Sequence, residues 1–423
     1  MKQPRLQHFV VTVLLVALPA FSSQRGIAEA EQSSVPDVVT QGEITMSLTS
    51  TVGDPTRGEQ IVLDRERGDC IVCHAMPLPN RQFHGTVGPA LDGVGSRFSL
   101  GALRLRIVDA KALNPQSVMP AYHKVRGLSV VRAVLRKQPI LTAQEIEDVV
   151  AYLATLKTEL PPPETRNIAR DSPISEPGPR TPPKLTPYSI EERRSGYTYL
   201  PTDLQQLQND EFANPGMLWV ERGQELWQRI EGNAQKSCTQ CHGEASTSMR
   251  GVQSRFPCFD QHRKKLINLE QQINRCRHER MHASIYPYES DELLSLTTFI
   301  AYQSRGLSVE VQVDQTREPF FAAGRRFFMQ RRGQLDLACT HCHDQLAGQR
   351  LRGEVISQGQ LNGFPIYRQL WQTLGSAHRM FAWCNNAIRA EPLPLGSDAY
   401  VNLELYMNWR ARGLPVESPA VRR

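Results

Sequence analysis

Three short stretches of this sequence carry the same two thiols followed by an imidazole: CIVCH at 70–74, CTQCH at 238–242 and CTHCH at 339–343. They use six of the nine cysteines: Cys70, Cys73, Cys238, Cys241, Cys339 and Cys342. Two thiols at this spacing can add to the two vinyl groups of one haem, and the histidine that follows is then placed to bind the iron from one face. Disulfides, redox CxxC pairs or a zinc ribbon would also use paired cysteines, but none needs a histidine directly after every second one. The pattern predicts three covalently bound haems c, with His74, His242 and His343 as iron ligands. The other histidines, among them His84, His123, His262, His278, His282, His341 and His378, read as surface or loop residues.

The opposite iron ligand must then come from other residue types. In the segment NPQSVMPAY, Met119 precedes a proline in a turn-prone stretch well downstream of the first motif, where a methionine can ligate iron instead of filling a core. The two later motifs sit in a divergent internal repeat. One copy runs WVERGQELWQ, CTQCH, MRGV, RFP, INRCRH; the other runs FFAAGRRFFMQ, CTHCH, LRGE, GFP, FAWCNN. Pro257 to Cys276 and Pro365 to Cys384 are both nineteen residues, so Cys276 and Cys384 are equivalent and occur once per motif. No methionine recurs at aligned positions, which makes each of these thiolates the expected distal ligand. A Cys276–Cys384 disulfide, or a disulfide of either with Cys258, is the competing reading, and Cys258, aligned with Ile366, is the unmatched thiol.

These ligands need elements to hold them. Residues 158–190 contain nine prolines, too many for a regular hydrogen-bond ladder, and read as an extended linker. Before it, 54–157 form a single-haem unit: an amphipathic first helix, the Gly/Pro-rich loop VGPALDGVGSR, and a closing helix over LTAQEIEDVVAYLATL with Thr142 and Glu145 in capping-box positions. After it, 195–310 and 311–415 form the two repeated haem domains. The fold class expected is mainly α, with three class I cytochrome c-like domains joined by the linker.

Residues 1–30 read as a secretory signal peptide: Lys2 and Arg5, a short apolar run, then small residues. That run is far shorter than the roughly twenty residues of a spanning helix, so an exported, periplasmic protein with no membrane span is expected. The net charge of +6 is modest, and the basic residues are scattered, which excludes nucleic acid as an expected partner.

Residues 54–157, with CIVCHAMPLP, VGPALDGVGSR and VMPAY, resemble the SoxX subunit of the thiosulfate-oxidising cytochrome SoxXA. Residues 195–415, with DEFANPGMLWVERGQELW, INLEQQINRCR and CNNAIRAEPLPLGSDAYVNLELY, resemble its dihaem SoxA subunit. The family usually has two chains, so one chain in the order SoxX then SoxA departs from it. The resemblance implies an L-cysteine S-thiosulfotransferase that joins thiosulfate to a carrier cysteine of SoxYZ and passes two electrons to a small cytochrome c. It implies that the haem on Cys339, Cys342 and His343 is the catalytic one. Cys384 would be both its ligand and the reactive sulfur, with Arg379 the basic residue that holds a sulfonate-like anion. The rival readings are a trihaem electron carrier without chemistry of its own, and a dihaem peroxidase fused to its donor.

Overall fold

The computed structural model describes residues 42–157 and 188–423. The leader read over 1–30, and the linker as far as residue 187, lie outside the described residues. The architecture is mainly helical, built from three units of three principal helices. The first unit holds α1 (Pro55–Leu63), α2 (Leu100–Asp109) and α3 (Ala143–Thr155). The second holds α4 (Met217–Gln228), α5 (Leu269–Arg280) and α6 (Asp291–Tyr302). The third holds α7 (Glu318–Met329), α8 (Ala377–Ala387) and α9 (Asp398–Arg410).

Local chemistry sets the helix starts. Asp54 accepts from the backbone of Thr56 and Arg57 ahead of a proline in the first turn of α1. Thr142 and Glu145 form the expected capping box of α3. Asn268 and Ser376, at equivalent points of the repeat, cap α5 and α8.

In every unit the first helix crosses the last at a glycine. A Cβ on Gly58 would lie 2.1 Å from the Asp148 carbonyl oxygen; on Gly223, 2.3 Å from that of Ser295; on Gly324, 2.0 Å from that of Asn402. Helices that approach this closely have no room for a side chain at the crossing, which explains why the motif RG or AG recurs in all three first helices. Gly324→Ala is expected to destabilise the third unit by about 3 kcal/mol, because the obstacle is backbone. Denaturant unfolding followed by circular dichroism checks this. Gly353→Ala, whose Cβ would rest 3.4 Å from Phe83, serves as the mild control.

Each unit closes over its own apolar core. Ile61, Leu105, Ile146 and Val150 lie in the first, Val220, Leu226, Leu293 and Leu296 in the second, and Phe328, Tyr400, Leu403 and Tyr406 in the third. A fourth cluster, with Leu266, Val309, Val401 and Leu405, joins the second unit to the third.

Short strands, which the sequence pattern does not foretell, decorate the repeats. Strands β1 (Cys258–Asp260) and β2 (Lys265–Ile267) form a hairpin in the second unit. In the third unit β3 (Arg350–Leu351) pairs with β4 (Glu354–Val355). There β5 (Ile366–Arg368) pairs with β6 (Thr373–Gly375) and, in parallel, with β7 (Ala420–Arg422). One constant interval relates Cys258 to Ile366, Lys265 to Thr373, Leu269 to Ala377 and Cys276 to Cys384, so the duplication holds strand by strand.

The first unit rests on the third through the β3–β4 hairpin. Thr86 N donates to the Arg350 carbonyl at 2.9 Å and Arg352 N to the Val72 carbonyl at 3.0 Å, while Arg352 is ion-paired with Asp69. A second seam joins Gly333 N to the Ser129 carbonyl at 2.8 Å and Glu391 N to the Val130 carbonyl at 2.9 Å.

Candidate haem sites and reactive sulfur

The three motifs fold into three different turns. Cys70–Val72 is a 3-10 turn, Cys238–His242 an α-helical turn with Ser237 and Gln240 as its capping box, and His341–Gln345 a π-helical turn. π-helical turns are rare and concentrate at functional sites.

In the first and third motifs the imidazole is held in the same way. His74 Nδ1 lies 2.7 Å from the Pro89 carbonyl oxygen and His343 Nδ1 lies 2.8 Å from that of Ser357. A carbonyl only accepts, so Nδ1 carries the proton and Nε2 presents the lone pair that binds iron. A glycine lies flat against each ring: a Cβ on Gly88 would come within 2.2 Å of His74, and one on Gly359, at φ +68°, within 2.7 Å of His343. Gly88 and Pro89 belong to the VGPALDGVGSR loop, as expected of a segment that wraps the ligand. His242 is exposed and stands 5.7 Å from the Trp227 ring, so the second motif is the most open of the three.

All nine cysteines are free thiols, so Cys276 and Cys384 are not joined. Burial pushes the Cys70, Cys73 and Cys339 thiols up to about 12, and those of Cys342 and Cys238 up to about 11. Cys276 on α5 faces Cys238 closely enough to raise its thiol further, and Cys384 on α8 does the same to Cys339. Each distal cysteine thus stands opposite its own motif. Met119 lies half-buried in the loop between α2 and α3 and packs on the same core as Cys70. Pinned imidazoles, paired thiols and a sulfur on the other side are the donor set a ligated haem requires, and the residues present fit it. Cys258 is partly buried at the start of β1, and its Sγ lies 3.3 Å from the Arg255 carbonyl oxygen.

Around Cys384 the structure adds residues that the sequence alone does not single out. Cys384 is open to solvent over part of its surface, yet the surrounding protein pushes its thiol up to about 11, against which the charge of Arg368 pulls it down. Arg368 ends β5, is 8% exposed, and has its guanidinium 5.4 Å from the Trp371 ring and 5.1 Å from the Trp383 ring. Its Nε donates to the Arg423 carbonyl at 2.6 Å. Arg379, the basic residue expected here, lies over the other reach of Trp371 at 4.3 Å. It donates to the Leu374 carbonyl at 3.2 Å and sits 3.7 Å from Glu289.

The second unit differs at these positions. Where the third has Arg368, it has Asp260, ion-paired with Arg275 at 2.5 Å. Gln272 Nε2 points at Cys276 Sγ from 3.2 Å. Cys276 borders a cavity of about 370 Å³ with Asp260, Arg263, Arg275 and Arg280. The repeat alignment holds the signal for Arg368, since it sets an arginine against an acid at one aligned strand position.

The distance from Cys73 to the third motif is also short, because Cys342 is the residue that, after burial, raises the Cys73 thiol most. The first and third motifs therefore lie side by side across the β3–β4 contact.

A cytochrome c family model matches residues 55–157, and a SoxA/TsdA cytochrome c domain model matches 222–309. Cytochrome c domains carry covalently bound haem c. The chain is 40% identical over 237 residues to the SoxA subunit of L-cysteine S-thiosulfotransferase from Pseudaminobacter salicylatoxidans, covering 56% of this chain and 83% of that one. It is 35% identical over 241 residues to the corresponding subunit from Paracoccus pantotrophus, covering 57% and 83%. The crystal structure of SoxXA from P. pantotrophus is similar with a TM-score of 0.53 and 36% identity, over 54% of this chain and 86% of that one. With a cytochrome c domain at 55–157 ahead of the matching region, this chain belongs to the SoxA family of L-cysteine S-thiosulfotransferase subunits.

Proposed function

We propose that this chain unites a SoxX-like unit (54–157) with a SoxA-like pair (195–310 and 311–415), joined by the 158–190 linker, and that it works as a complete L-cysteine S-thiosulfotransferase. Its substrates are thiosulfate and the carrier cysteine of SoxY within SoxYZ. In each turnover one S–S bond forms between them, the carrier thiol loses its proton, and two electrons leave for a small external cytochrome c. The observation that carries this reading is Cys384, a partly open sulfur opposite Cys339 and Cys342 with the Arg368 cation beside it.

Three haems c would be held by Cys70, Cys73, His74 and Met119; by Cys238, Cys241, His242 and Cys276; and by Cys339, Cys342, His343 and Cys384. When bound, they supply one-electron acceptors whose potential methionine raises and thiolate lowers. Arg368 and Arg379, spread over the faces of Trp371 and Trp383, supply donors and positive charge for the sulfonate end of thiosulfate. Cys384 presents the sulfur against which the outer sulfur of thiosulfate is aligned. The β3–β4 contact keeps the first motif beside the third, a short path for electrons toward the Met119 side. The protein works in the periplasm after removal of residues 1–30, and no helix among the described residues is long and apolar enough to cross a membrane.

The test is reduction of a small cytochrome c by purified holoprotein supplied with thiosulfate and SoxYZ. Reduction that requires both supports the reading. Electron passage without any dependence on SoxYZ favours a trihaem carrier, and turnover of peroxide favours the peroxidase.

A further inference from the structure

The second and third units meet at a small cavity that the proposed chemistry does not use, with Leu269, Phe364, Pro365 and Ala377 on its apolar side. Glu270 on α5 and Glu404 on α9, each 7% exposed, line it with Thr297 on α6 and Gln253. Its volume, about 10 Å³, is room for one water. Thr297 is 2% exposed and its Oγ1 has no hydrogen-bond partner, and the Gln253 Oε1 is likewise buried without one. Two hydroxyl- and amide-type groups lacking partners, aimed into a space of that size, call for a water to satisfy them.

The two carboxyls pose a problem of charge. Glu404 Oε2 accepts from Asn268 Nδ2 at 3.2 Å and faces His378 Nε2 at 3.1 Å. His378 Nδ1 accepts from Gly396 N at 3.0 Å, so the proton of that ring is on Nε2 and the imidazole is neutral. Tyr288 stacks on His378 and donates to Asn268 Oδ1, which adds no charge. The remaining ionised neighbours, Glu289 and Arg379, face one another. Among the described residues no lysine or arginine is ion-paired with Glu270 or Glu404. Two buried carboxylates without a cation must take up a proton.

We propose that Glu270 holds a proton beside Glu404 and a single water in this cavity, and that its protonation becomes more complete when the neighbouring redox sites gain electrons. The second half rests on the reading that Cys276 and Cys384 ligate haem. Glu270 lies six residues before Cys276 on α5, and His378, which faces Glu404, lies six before Cys384 on α8, about 9 Å of helix rise in each case. An added electron there raises the proton affinity of the pair, and the proton comes from solvent. Burial and the charge of Glu404 already push Glu270 up to about 8, so the response falls near neutral pH.

The sign for stability follows. The folded chain keeps a proton that the unfolded chain releases above about 4.5, so the contribution of the pair to stability falls as pH rises from there to about 8 and is level beyond. Relative to Glu270→Gln, the wild type is expected to lose melting temperature over that range.

The decisive experiment is infrared difference spectroscopy of the purified holoprotein near pH 8, dithionite-reduced minus ferricyanide-oxidised, in water and in D2O. A protonated-carboxyl carbonyl band that grows on reduction, shifts in D2O and disappears in both Glu270→Gln and Glu404→Gln is the expected result. A band absent from the wild type, or kept in both variants, overturns the proposal. So does a stoichiometric metal ion, found by elemental analysis, that both variants lose, because a cation would then balance the charge. If either variant fails to fold, the wild-type band alone decides: a difference band largest near pH 8 and weaker near pH 6, where the oxidised form is already protonated, supports the proposal, and a band absent or unchanged in size over that range opposes it. None of these readings depends on thiosulfate turnover, and the visible spectrum reports separately whether the cysteines ligate iron.

Discussion

Cys384→Ala is expected to lower thiosulfate-dependent reduction of cytochrome c by at least ~100-fold while the protein keeps its full haem content. In the proposed reading haem attachment relies on Cys339 and Cys342, which are not on the helix of Cys384, so the substitution would remove a sulfur without removing an anchor. The comparison is Cys276→Ala, expected to stay within about twofold of wild type. Both changes delete a distal sulfur from an equivalent point of the repeat, so any general effect of altered ligation should appear in both. A large loss only at Cys384 separates reactive sulfur from mere ligand. Equal losses would place the chemistry elsewhere or make the two units interdependent. The assay is steady-state turnover at matched haem absorbance, with pyridine haemochrome spectra as the loading control.

Arg368→Ala is expected to reduce kcat/KM for thiosulfate by ~100-fold, equivalent to about 2.7 kcal/mol of transition-state stabilisation. Two effects act in the same direction. The guanidinium supplies charge-assisted donors to a dianionic substrate, and its field holds the Cys384 thiol down against burial. Without it, negative charge on the Cys384 sulfur is less well stabilised. Arg368→Lys should recover only part of the loss, because an ammonium cannot lie flat between Trp371 and Trp383. A loss confined to KM would mean that the arginine only binds thiosulfate. Because Arg368 also bonds to the Arg423 carbonyl, unfolding curves of both variants should accompany the kinetics.

Much of the site was legible because covalent chemistry leaves short, rigid signatures. A CxxCH motif names two haem attachment points and one iron ligand at once, and equal spacing from a proline to a cysteine is enough to mark Cys276 and Cys384 as equivalent. The capping box at Thr142 and the wrap of VGPALDGVGSR about His74 were likewise local facts, written within a few residues. Arg368 was not visible in that way. Its relation to Cys384 is set by the β5–β6 hairpin folding back on α8, a tertiary contact with no sequence period. Arg379, by contrast, is near Cys384 in sequence, and it packs on Trp371 and faces Glu289. The strands escaped notice for a similar reason: two or three residues are too few to show alternation. The Glu270–Glu404 pair needs two helices from different units to meet, and nothing in either helix announces the other.

The hairpin at Arg350–Val355 has one more implication. It holds the first unit by two main-chain hydrogen bonds together with the Arg352–Asp69 ion pair and the Thr86 hydroxyl, which donates to Gln349 Oε1 and accepts from Arg350 N. Such a joint depends on a few side chains, so a first unit taken from a distant relative should seat itself only where it keeps an acid at 69 and a hydroxyl at 86. In the proposed reading, what a covalent tether adds to a joint of this kind is parity of supply: every catalytic half would be made with its own electron outlet, with no need to balance the expression of two genes.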